Sequence, residues 1–138
     1  MGTLTVAARI EELESVQEFI QQELDSHDCS PALGFQINIV VEEVFANIAY
    51  YAYPPDKKDG LAWVDCHVDS DTAMVCLRFC DAGIPFNPLE RQDPDITTSL
   101  EEKTVGGLGI FMVKQMMDEV VYEYKDGRNQ LSLKKKIS

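Results

Sequence analysis

The sequence predicts an α+β fold, a two-layer sandwich in which helices cover one face of a mixed, mostly antiparallel sheet. The elements follow one another as strand, helix, helix, two strands, long loop, helix and two strands, with short turns between neighbouring strands. The chain has the length of one domain, so residues 1–138 are taken as a single domain. Hydrophobic residues make up 45% and charged residues 26%, which is typical of a globular protein rather than a disordered acidic tail.

The first two elements are a short strand and an amphipathic helix. Thr3–Ala8 alternates apolar and polar residues with the period of a strand. Ile10–Leu24 has apolar residues near helical spacing, with glutamates between them and in the first turn, where the helix dipole favours acids. Residues 1–30 contain seven acidic residues and one basic residue, a net charge of −6. We interpret this acidity as a solvated face, and a docking surface for a basic partner is the alternative.

The second helix carries its own start and stop signals. Ser30 is a preferred N-cap residue, and Pro31 is tolerated at the first helical position. The helix is expected to run to about Tyr53, because the prolines at positions 54 and 55 cannot continue it. Beyond a polar turn, apolar periodicity and turn residues predict the remaining elements. These are strands at Leu61–Asp69 and Thr72–Asp81 around a turn at residues 70 and 71, a helix at Ile110–Glu119, and a hairpin of Val120–Lys125 and Gln130–Ile137 that turns at residues 126–129.

Composition and cysteine usage exclude several classes of protein. The formal net charge is −12 and the pI is near 4.4, whereas duplex nucleic acid and anionic membranes both bind basic surfaces. We expect that no stretch approaches a membrane-spanning apolar run, and the N-terminus lacks the apolar core of a signal peptide. The four cysteines have neither C-x-x-C spacing nor a histidine cluster, so no zinc site is expected. We therefore expect a cytoplasmic protein that binds neither nucleic acid nor membranes directly.

The first candidate constellation is Glu42-Glu43 with Asn47 in the otherwise apolar second helix. Glu43 and Asn47 are four residues apart, so their side chains lie one turn apart on the same face. Carboxylate and carboxamide oxygens on one helical edge can hold Mg²⁺ and a nucleophile near it. The alternative is a solvent-facing edge that binds no ligand.

The second constellation is the segment Asp81–Phe86, which ends a predicted strand. By alternation Asp81 points to the same side as Phe79, toward the helices. A carboxylate in that position needs a partner, because burying it unpaired costs free energy. A ligand amine would supply the partner, and Gly83 would let that ligand approach the backbone closely. The alternative is an ordinary turn that contains an aspartate.

The third constellation is the glycine cluster from Gly106 to Gly109 at the start of a helix. Its backbone N–H groups and the positive end of the helix dipole would form an anion site. The spacing is neither that of a Walker loop nor that of a dinucleotide fingerprint. The alternative is a flexible hinge at the end of Pro88–Val105, a loop long enough to be functional or mobile.

In their order along the chain, the three constellations resemble the ATP-binding fold of the gyrase, chaperone and histidine-kinase superfamily. The closer resemblance is to the compact bacterial branch of anti-sigma-factor serine kinases, and it spans residues 3–136. Glu43–Asn47 is similar to the N box of that branch, Asp81–Phe86 to its first glycine box, and Gly106–Met112 with Lys114–Asp118 to its second. Some positions differ from the pattern. Tyr51 replaces a frequent histidine, Asn129-Gln130 occupies the place where the wider superfamily often has a threonine that contacts the base, and the lid has only Arg91 and Lys103 as cations.

The resemblance implies ATP and Mg²⁺ as cofactors, and it implies a role for each matching residue. Asp81 would accept a hydrogen bond from the adenine amino group, with Gly83 letting the base sit close, and Asn47 would ligate Mg²⁺ between the phosphates. Residues 88–105 would form a lid over the nucleotide. Glu43 would act as general base toward a serine hydroxyl on a protein substrate. The phosphates would bind the glycine segment, which comprises Gly106 and the backbone N–H groups of Gly107, Leu108 and Gly109.

The function implied is that of a switch-type protein serine kinase, which binds a sigma factor and phosphorylates a small antagonist protein. Relatives in this branch often form homodimers. The alternative is a non-catalytic module that binds ATP, or no nucleotide, and acts by sequestering a regulatory partner. An ATPase or a detached histidine-kinase domain is disfavoured, because neither His27 nor His67 lies in a phospho-acceptor helix context.

Overall fold

The structure is a computed structural model, and it describes residues 2–90 and 107–137. Its strands form one sheet in the order β1-β2-β3-β5-β4, and every neighbouring pair runs antiparallel. The predicted α+β sandwich is confirmed, although within the described residues the sheet is antiparallel throughout rather than mixed. The strands are β1 (Thr3–Ala7), β2 (Leu61–Asp69), β3 (Met74–Asp81), β4 (Glu119–Lys125) and β5 (Arg128–Lys136).

Three α-helices lie among these strands in the chain: α1 (Leu13–Ser26), α2 (Pro31–Asn47) and α3 (Gly107–Met116). A 3-10 turn at Ile10–Glu12 leads into α1. The side chain of Ser30 caps α2 as predicted, because its Oγ accepts a hydrogen bond from the Leu33 N–H at 3.1 Å. After α2 the chain continues as one π-helical turn, Ile48–Ala52, so the helical segment ends where the two prolines required.

The third helix differs from the prediction at both ends. It begins at Gly107, three residues before the expected start at Ile110, and it ends at Met116 instead of Glu119. At its end the Asp118 N–H donates to the Lys134 carbonyl oxygen at 2.9 Å. The chain therefore leaves the helix to pair with β5, and this long-range pairing outweighs the local helical pattern.

The core lies between the helices and one face of the sheet. Phe45 on α2 and Phe79 on β3 are both almost completely buried there, and each contributes about 1.5–3 kcal/mol by burial. Alternation along the two central strands turns one face of each toward the core. These faces consist of Ala62, Val64, Cys66 and Val68 on β2 and Val75, Leu77 and Phe79 on β3.

The long helical segment Pro31–Ala52 is apolar enough to pass as a membrane span, with a mean hydropathy of 1.3 in its best window. This corrects the expectation that no stretch comes near that pattern. In the structure Ile37, Val41 and Phe45 of this segment are fully buried in the protein core. Burial of these side chains in the core accounts for their part of the apolar composition, and a core helix of a globular protein passes the same test.

Two turns place the later strands differently from the prediction. The β4–β5 turn needs only Asp126 and Gly127, whose positive φ angles of 56° and 76° suit a tight hairpin. Asn129 is therefore a strand residue and not part of the turn, and it pairs with Asp81 in the sheet register. The turn before β3 is longer than expected, because Ala73, with a φ of 55°, still belongs to it.

Candidate functional site

A pocket of about 260 Å³ opens beside the end of α2, between the ends of β3 and β5 and the helix α3. Its walls are largely apolar, with a few polar groups that converge on one space, which is the pattern of a small-molecule site. The structure thus brings Asn47 and Asp81, two of the residues singled out in the sequence, into one pocket. The lining residues are Val44, Asn47, Ile48, Tyr51, Ala52, Phe79, Asp81, Ile84, Phe86, Pro88, Ile110, Asn129 and Leu131.

Asp81 lies at the end of β3, and only 7% of its surface is exposed. It faces the helices on the same side as Phe79, as the alternation predicts. Its Oδ1 accepts hydrogen bonds from Asn129 Nδ2 and from the Gly83 N–H, both at 2.9 Å. Burial raises the pKa of the Asp81 carboxyl above its ordinary value, and the two hydrogen bonds partly oppose that rise. The partner that a buried carboxylate needs is therefore supplied by the chain itself.

Asn129 is a pocket residue that was noted in the sequence only as a departure from a family pattern. It is 7% exposed and binds Asp81, the Ile84 carbonyl oxygen and the Phe86 N–H. The signal that could have found it is the Asp126-Gly127 hairpin turn, since a two-residue turn sets the register of the following strand. With that register, Asn129 falls on the inward face together with Leu131 and Leu133.

Gly83 packs against the end of the helical segment. A Cβ atom at this position would lie 2.0 Å from the Ala52 carbonyl oxygen, which also accepts a hydrogen bond from the Ile84 N–H at 3.1 Å. The space beside Gly83 is therefore taken by the protein's own backbone, and Gly83 does not belong to the pocket lining. A role for Gly83 in letting a base sit close remains a prediction.

Tyr53 ties the same end of the helical segment to the sheet. Its hydroxyl accepts a hydrogen bond from the Ala82 N–H at 2.8 Å and donates one to the Leu61 carbonyl oxygen. Burial raises the pKa of the Tyr53 hydroxyl, so it remains a neutral donor at physiological pH. The loop that follows Asp81 is thus held in place by Tyr53 and Ala52 together.

Glu43 lies outside the pocket lining, next to the start of α3. A Cβ atom at Gly109 would lie 2.1 Å from Glu43 Oε2, so the carboxylate occupies the space beside this glycine. Burial, and to a lesser extent the negative charge of Glu42, raises the pKa of the Glu43 carboxyl. Such a group is better matched to taking up a proton near neutral pH than a fully solvated glutamate is.

The glycine cluster lies partly within the described residues. Gly107, Leu108 and Gly109 form the first turn of α3, where N–H groups have no partner within the helix. Gly106 and residues 91–105, which include most of the predicted lid, lie outside the described residues. Pro88–Glu90, the start of that segment, forms a 3-10 turn, and Pro88 reaches the pocket. Phosphate binding by the first turn of α3 remains a prediction.

The donor set is compatible with a Mg²⁺ ion bound mainly through nucleotide phosphates. Asn47 Nδ2 is buried and has no hydrogen-bond partner among the described residues. A 180° rotation of the amide exchanges its nitrogen and oxygen, so the Asn47 side chain offers an unused polar atom to a ligand. No group of three or more metal-binding side chains occurs in residues 2–90 and 107–137. Mg²⁺ commonly needs only one or two protein ligands where phosphates supply the others.

Comparisons with known proteins agree with this architecture. A family model described as histidine kinase-like ATPase domain matches residues 6–135. The serine/threonine-protein kinase BtrW of Bordetella bronchiseptica is 26% identical over 104 residues, which cover 75% of this chain and 71% of that protein. The serine-protein kinase RsbW of Listeria innocua is 28% identical over 95 residues, 66% of this chain and 59% of that protein, so the match spans less than two thirds of that relative.

A crystal structure shows the same fold at lower sequence similarity. It contains the RsbU and RsbW domains of a Mycobacterium tuberculosis protein and matches with a TM-score of 0.64 at 14% identity. The match covers 99% of this chain and 32% of that one. Because the family model matches nearly the whole sequence, the chain belongs to the histidine kinase-like ATPase domain family.

Proposed function

We propose that this protein is an ATP·Mg²⁺-dependent protein serine kinase and anti-sigma-type regulator. It binds a partner protein and phosphorylates a small antagonist protein on a serine. The observation that carries the proposal is the convergence of Asp81 and Asn47 on one apolar pocket, with Glu43 one turn before Asn47 and against the start of α3. The kinase names of the relatives from Bordetella and Listeria support the same class of activity.

In this proposal the adenine ring lies in the apolar pocket. Asp81 Oδ1 is already bound to the protein, so the other carboxylate oxygen accepts a hydrogen bond from the exocyclic amino group. The apolar walls, such as Phe79, Ile84 and Leu131, exclude water from the faces of the ring. An acceptor inside a dry pocket favours an amino group over a carbonyl group at that position of the base.

The triphosphate would extend from the pocket toward Asn47 and the first turn of α3. The amide oxygen of Asn47 would hold Mg²⁺ together with phosphate oxygens, and the N–H groups of Gly107 and Gly109 would bind phosphate directly. When bound, Mg²⁺ supplies neutralisation of the charge that develops on the phosphates. These groups also answer how a protein with a net charge of −12 could bind an anionic nucleotide.

Glu43 would accept the proton of the substrate serine as its oxygen attacks the γ-phosphorus. The bond between that phosphorus and the bridging oxygen breaks, and ADP leaves. The products are phosphoserine, ADP and the proton held on Glu43. Phosphoryl transfer depends mainly on positioning and charge neutralisation, so this small set of groups is sufficient in principle.

The partners would be proteins of the regulatory pair that this branch serves: a sigma factor and its anti-sigma-factor antagonist. We place the protein in the cytoplasm, where ATP and the transcription machinery are available, and we include a homodimer in the proposal. The acidic start of the chain, with its net charge of −6 over residues 1–30, would then remain a solvated surface or contact a basic partner.

A phosphotransfer assay with radiolabelled ATP tests the proposal. The protein is incubated with ATP, Mg²⁺ and an antagonist-type protein encoded beside it, and phosphoserine is measured by mass spectrometry. Glu43→Gln should reduce transfer at least about 100-fold, the size expected for loss of a general base. The matched control is Glu42→Gln, a change at an exposed neighbour on the same helix, which should transfer at the wild-type rate at pH 8.

Two outcomes decide against parts of the proposal. Tight binding of nucleotide and antagonist without transfer in the wild-type protein would favour the non-catalytic, sequestering alternative. Equal transfer by the wild-type protein and by Glu43→Gln would remove Glu43 from the role of general base while leaving a kinase. Where transfer is observed, addition of EDTA should abolish it, because the proposed reaction requires Mg²⁺.

A further inference from the structure

The side-chain amide of Asn129 uses every hydrogen-bonding position that it has. Nδ2 donates to Asp81 Oδ1 and to the Ile84 carbonyl oxygen, both at 2.9 Å. Oδ1 accepts from the Phe86 N–H at 3.0 Å and from the Tyr122 hydroxyl. An amide has two donor hydrogens and two acceptor lone pairs, so these four bonds saturate it.

The partners also determine which way the amide points. A backbone carbonyl oxygen can only accept a hydrogen bond, and a backbone N–H can only donate one. Rotating the amide by 180° would place Nδ2 against the Phe86 N–H and Oδ1 against the Ile84 carbonyl oxygen. Both contacts would then be repulsive, so only the observed orientation satisfies the site.

This saturated amide holds Asp81 in one orientation. Asp81 Oδ1 receives two hydrogen bonds, one from Asn129 and one from the Gly83 N–H. Within the described ranges 2–90 and 107–137, no hydrogen bond is made by Asp81 Oδ2. The carboxylate therefore has one oxygen committed to the protein and one available to a ligand in the pocket that both residues line.

The same amide connects Asp81 to other pocket walls. Ile84 and Phe86 both line the pocket, and Asn129 binds the backbone of each. Tyr122 on β4 approaches from the neighbouring strand and donates to the opposite side of the amide. Asn129 therefore fixes the Asp81 carboxylate relative to Ile84 and Phe86, two residues of the pocket wall.

We propose that Asn129 is the positioning residue for nucleobase selection: it presents Asp81 Oδ2 as the acceptor for a 6-amino purine and makes no contact with the base itself. This inference rests on the proposed nucleotide binding. It follows that the contrast between a 6-amino and a 6-oxo purine depends on Asn129, although Asn129 does not touch the base. Binding of the triphosphate, which lies elsewhere, depends on it much less.

The experiment measures the dissociation constants of ATP and of inosine triphosphate, both with Mg²⁺, by titration calorimetry. Their ratio isolates the base, because the two nucleotides share the same ribose and triphosphate. Wild-type protein should prefer ATP, and Asn129→Leu should reduce that preference by about tenfold, since a charge-assisted hydrogen bond that orients Asp81 is lost. The matched control is Gln130→Leu, the same kind of change at the next residue of β5, whose side chain does not line the pocket, and its ratio should stay within about twofold of the wild-type value.

The results separate a failure of nucleotide binding from a failure of the positioning role of Asn129. If wild-type protein binds neither nucleotide, the proposed function fails and this inference fails with it. If wild-type protein prefers ATP and Asn129→Leu keeps the same ratio, the proposed function stands and the positioning role is wrong. If Asn129→Leu does not fold by circular dichroism, Asn129→Ser is measured in its place. The serine hydroxyl is one bond too short to reach Asp81. The ratio of the dissociation constants of ATP and inosine triphosphate then tests the positioning role in the same way.

Discussion

Gly109 on α3 lies directly against Glu43 on α2, so that a Cβ atom on the glycine would fall 2.1 Å from Glu43 Oε2 and 3.0 Å from its Cδ. The carboxylate of the proposed general base is therefore positioned by the absence of a side chain on another helix. We expect Gly109→Ala to push the Glu43 carboxylate aside. Because the displaced atoms are the end of a flexible side chain, the protein should stay folded while phosphotransfer falls about 10- to 100-fold.

The helical glycine Gly34 supplies the control for that variant. The three atoms nearest to a Cβ atom at Gly34 all belong to the side chain of Gln21, the closest at 3.2 Å. One hydrogen bond, from Gln21 Nε2 to Asp25 Oδ1 at 2.9 Å, holds this side chain, and it can follow a shift of a few tenths of an ångström. Gly34→Ala should therefore keep its transfer rate and gain up to about 1 kcal/mol of stability, since alanine is the better helix former. Unchanged transfer in Gly109→Ala would contradict the proposed positioning of Glu43.

The pH dependence of transfer provides a second prediction. A general base must be ionised, and burial followed by the charge of Glu42 raises the pKa of Glu43. Transfer should therefore increase as the pH rises through that raised pKa. Glu42→Gln removes a negative neighbour, lowers the pKa of Glu43 and should move the acidic limb of the pH–rate profile to lower pH. If the acidic limb of the Glu42→Gln profile stays at the wild-type pH, a group other than Glu43 is responsible for it.

Asp81→Asn should separate nucleotide selectivity from stability. The asparagine oxygen can keep both hydrogen bonds that Oδ1 accepts, from Asn129 and from the Gly83 N–H, while its NH₂ group replaces Oδ2. A donor then replaces an acceptor, so ATP affinity should fall about 100-fold and inosine triphosphate should become the better ligand. Titration calorimetry measures the affinity of the variant for each nucleotide. A retained preference for ATP would contradict the proposed role of Asp81.

The stability of the Asp81→Asn variant has a predicted sign. In the wild-type protein the pKa of Asp81 is raised on folding, so the folded state binds the proton more tightly than the unfolded chain does. The contribution of Asp81 to the free energy of unfolding therefore falls as the pH rises from the ordinary carboxyl pKa through the raised one. At pH 7 the variant should be at least as stable as wild type in urea denaturation. A large loss of stability would show that the charge itself stabilises the fold.

Gly83→Ala tests the junction between the helical segment and the loop after β3. Its Cβ atom would lie 2.0 Å from the Ala52 carbonyl oxygen, a backbone atom that cannot move alone. The clash should lower the free energy of unfolding by about 1–3 kcal/mol. Urea denaturation measures this loss of stability. The control is Gly2→Ala, where no atom lies within 4 Å of the added methyl group. A stability equal to that of the control would contradict the tight packing.

Local patterns in the sequence were sufficient for most of the fold. The cap at Ser30, the apolar alternation of β2 and the stop at Pro54 each depend on neighbours within a few residues, and each was predicted correctly. The inward direction of Asp81 also followed from alternation along its own strand. Glu43 and Asn47 could be paired for the same reason, because four residues of helix separate them wherever that helix lies.

The tertiary structure decided what depends on contacts between distant segments. The end of α3 was set by the hydrogen bond from Asp118 to Lys134, the position of Asn129 by its register opposite Asp81, and the packing of Gly83 by the Ala52 carbonyl group. The sequence by itself determined which side chains of the helices and of β2 and β3 face the core, and which residues are candidates for chemistry. Only the fold decided which of them meet, because the free energy of such contacts is gained after the chain has brought remote segments together.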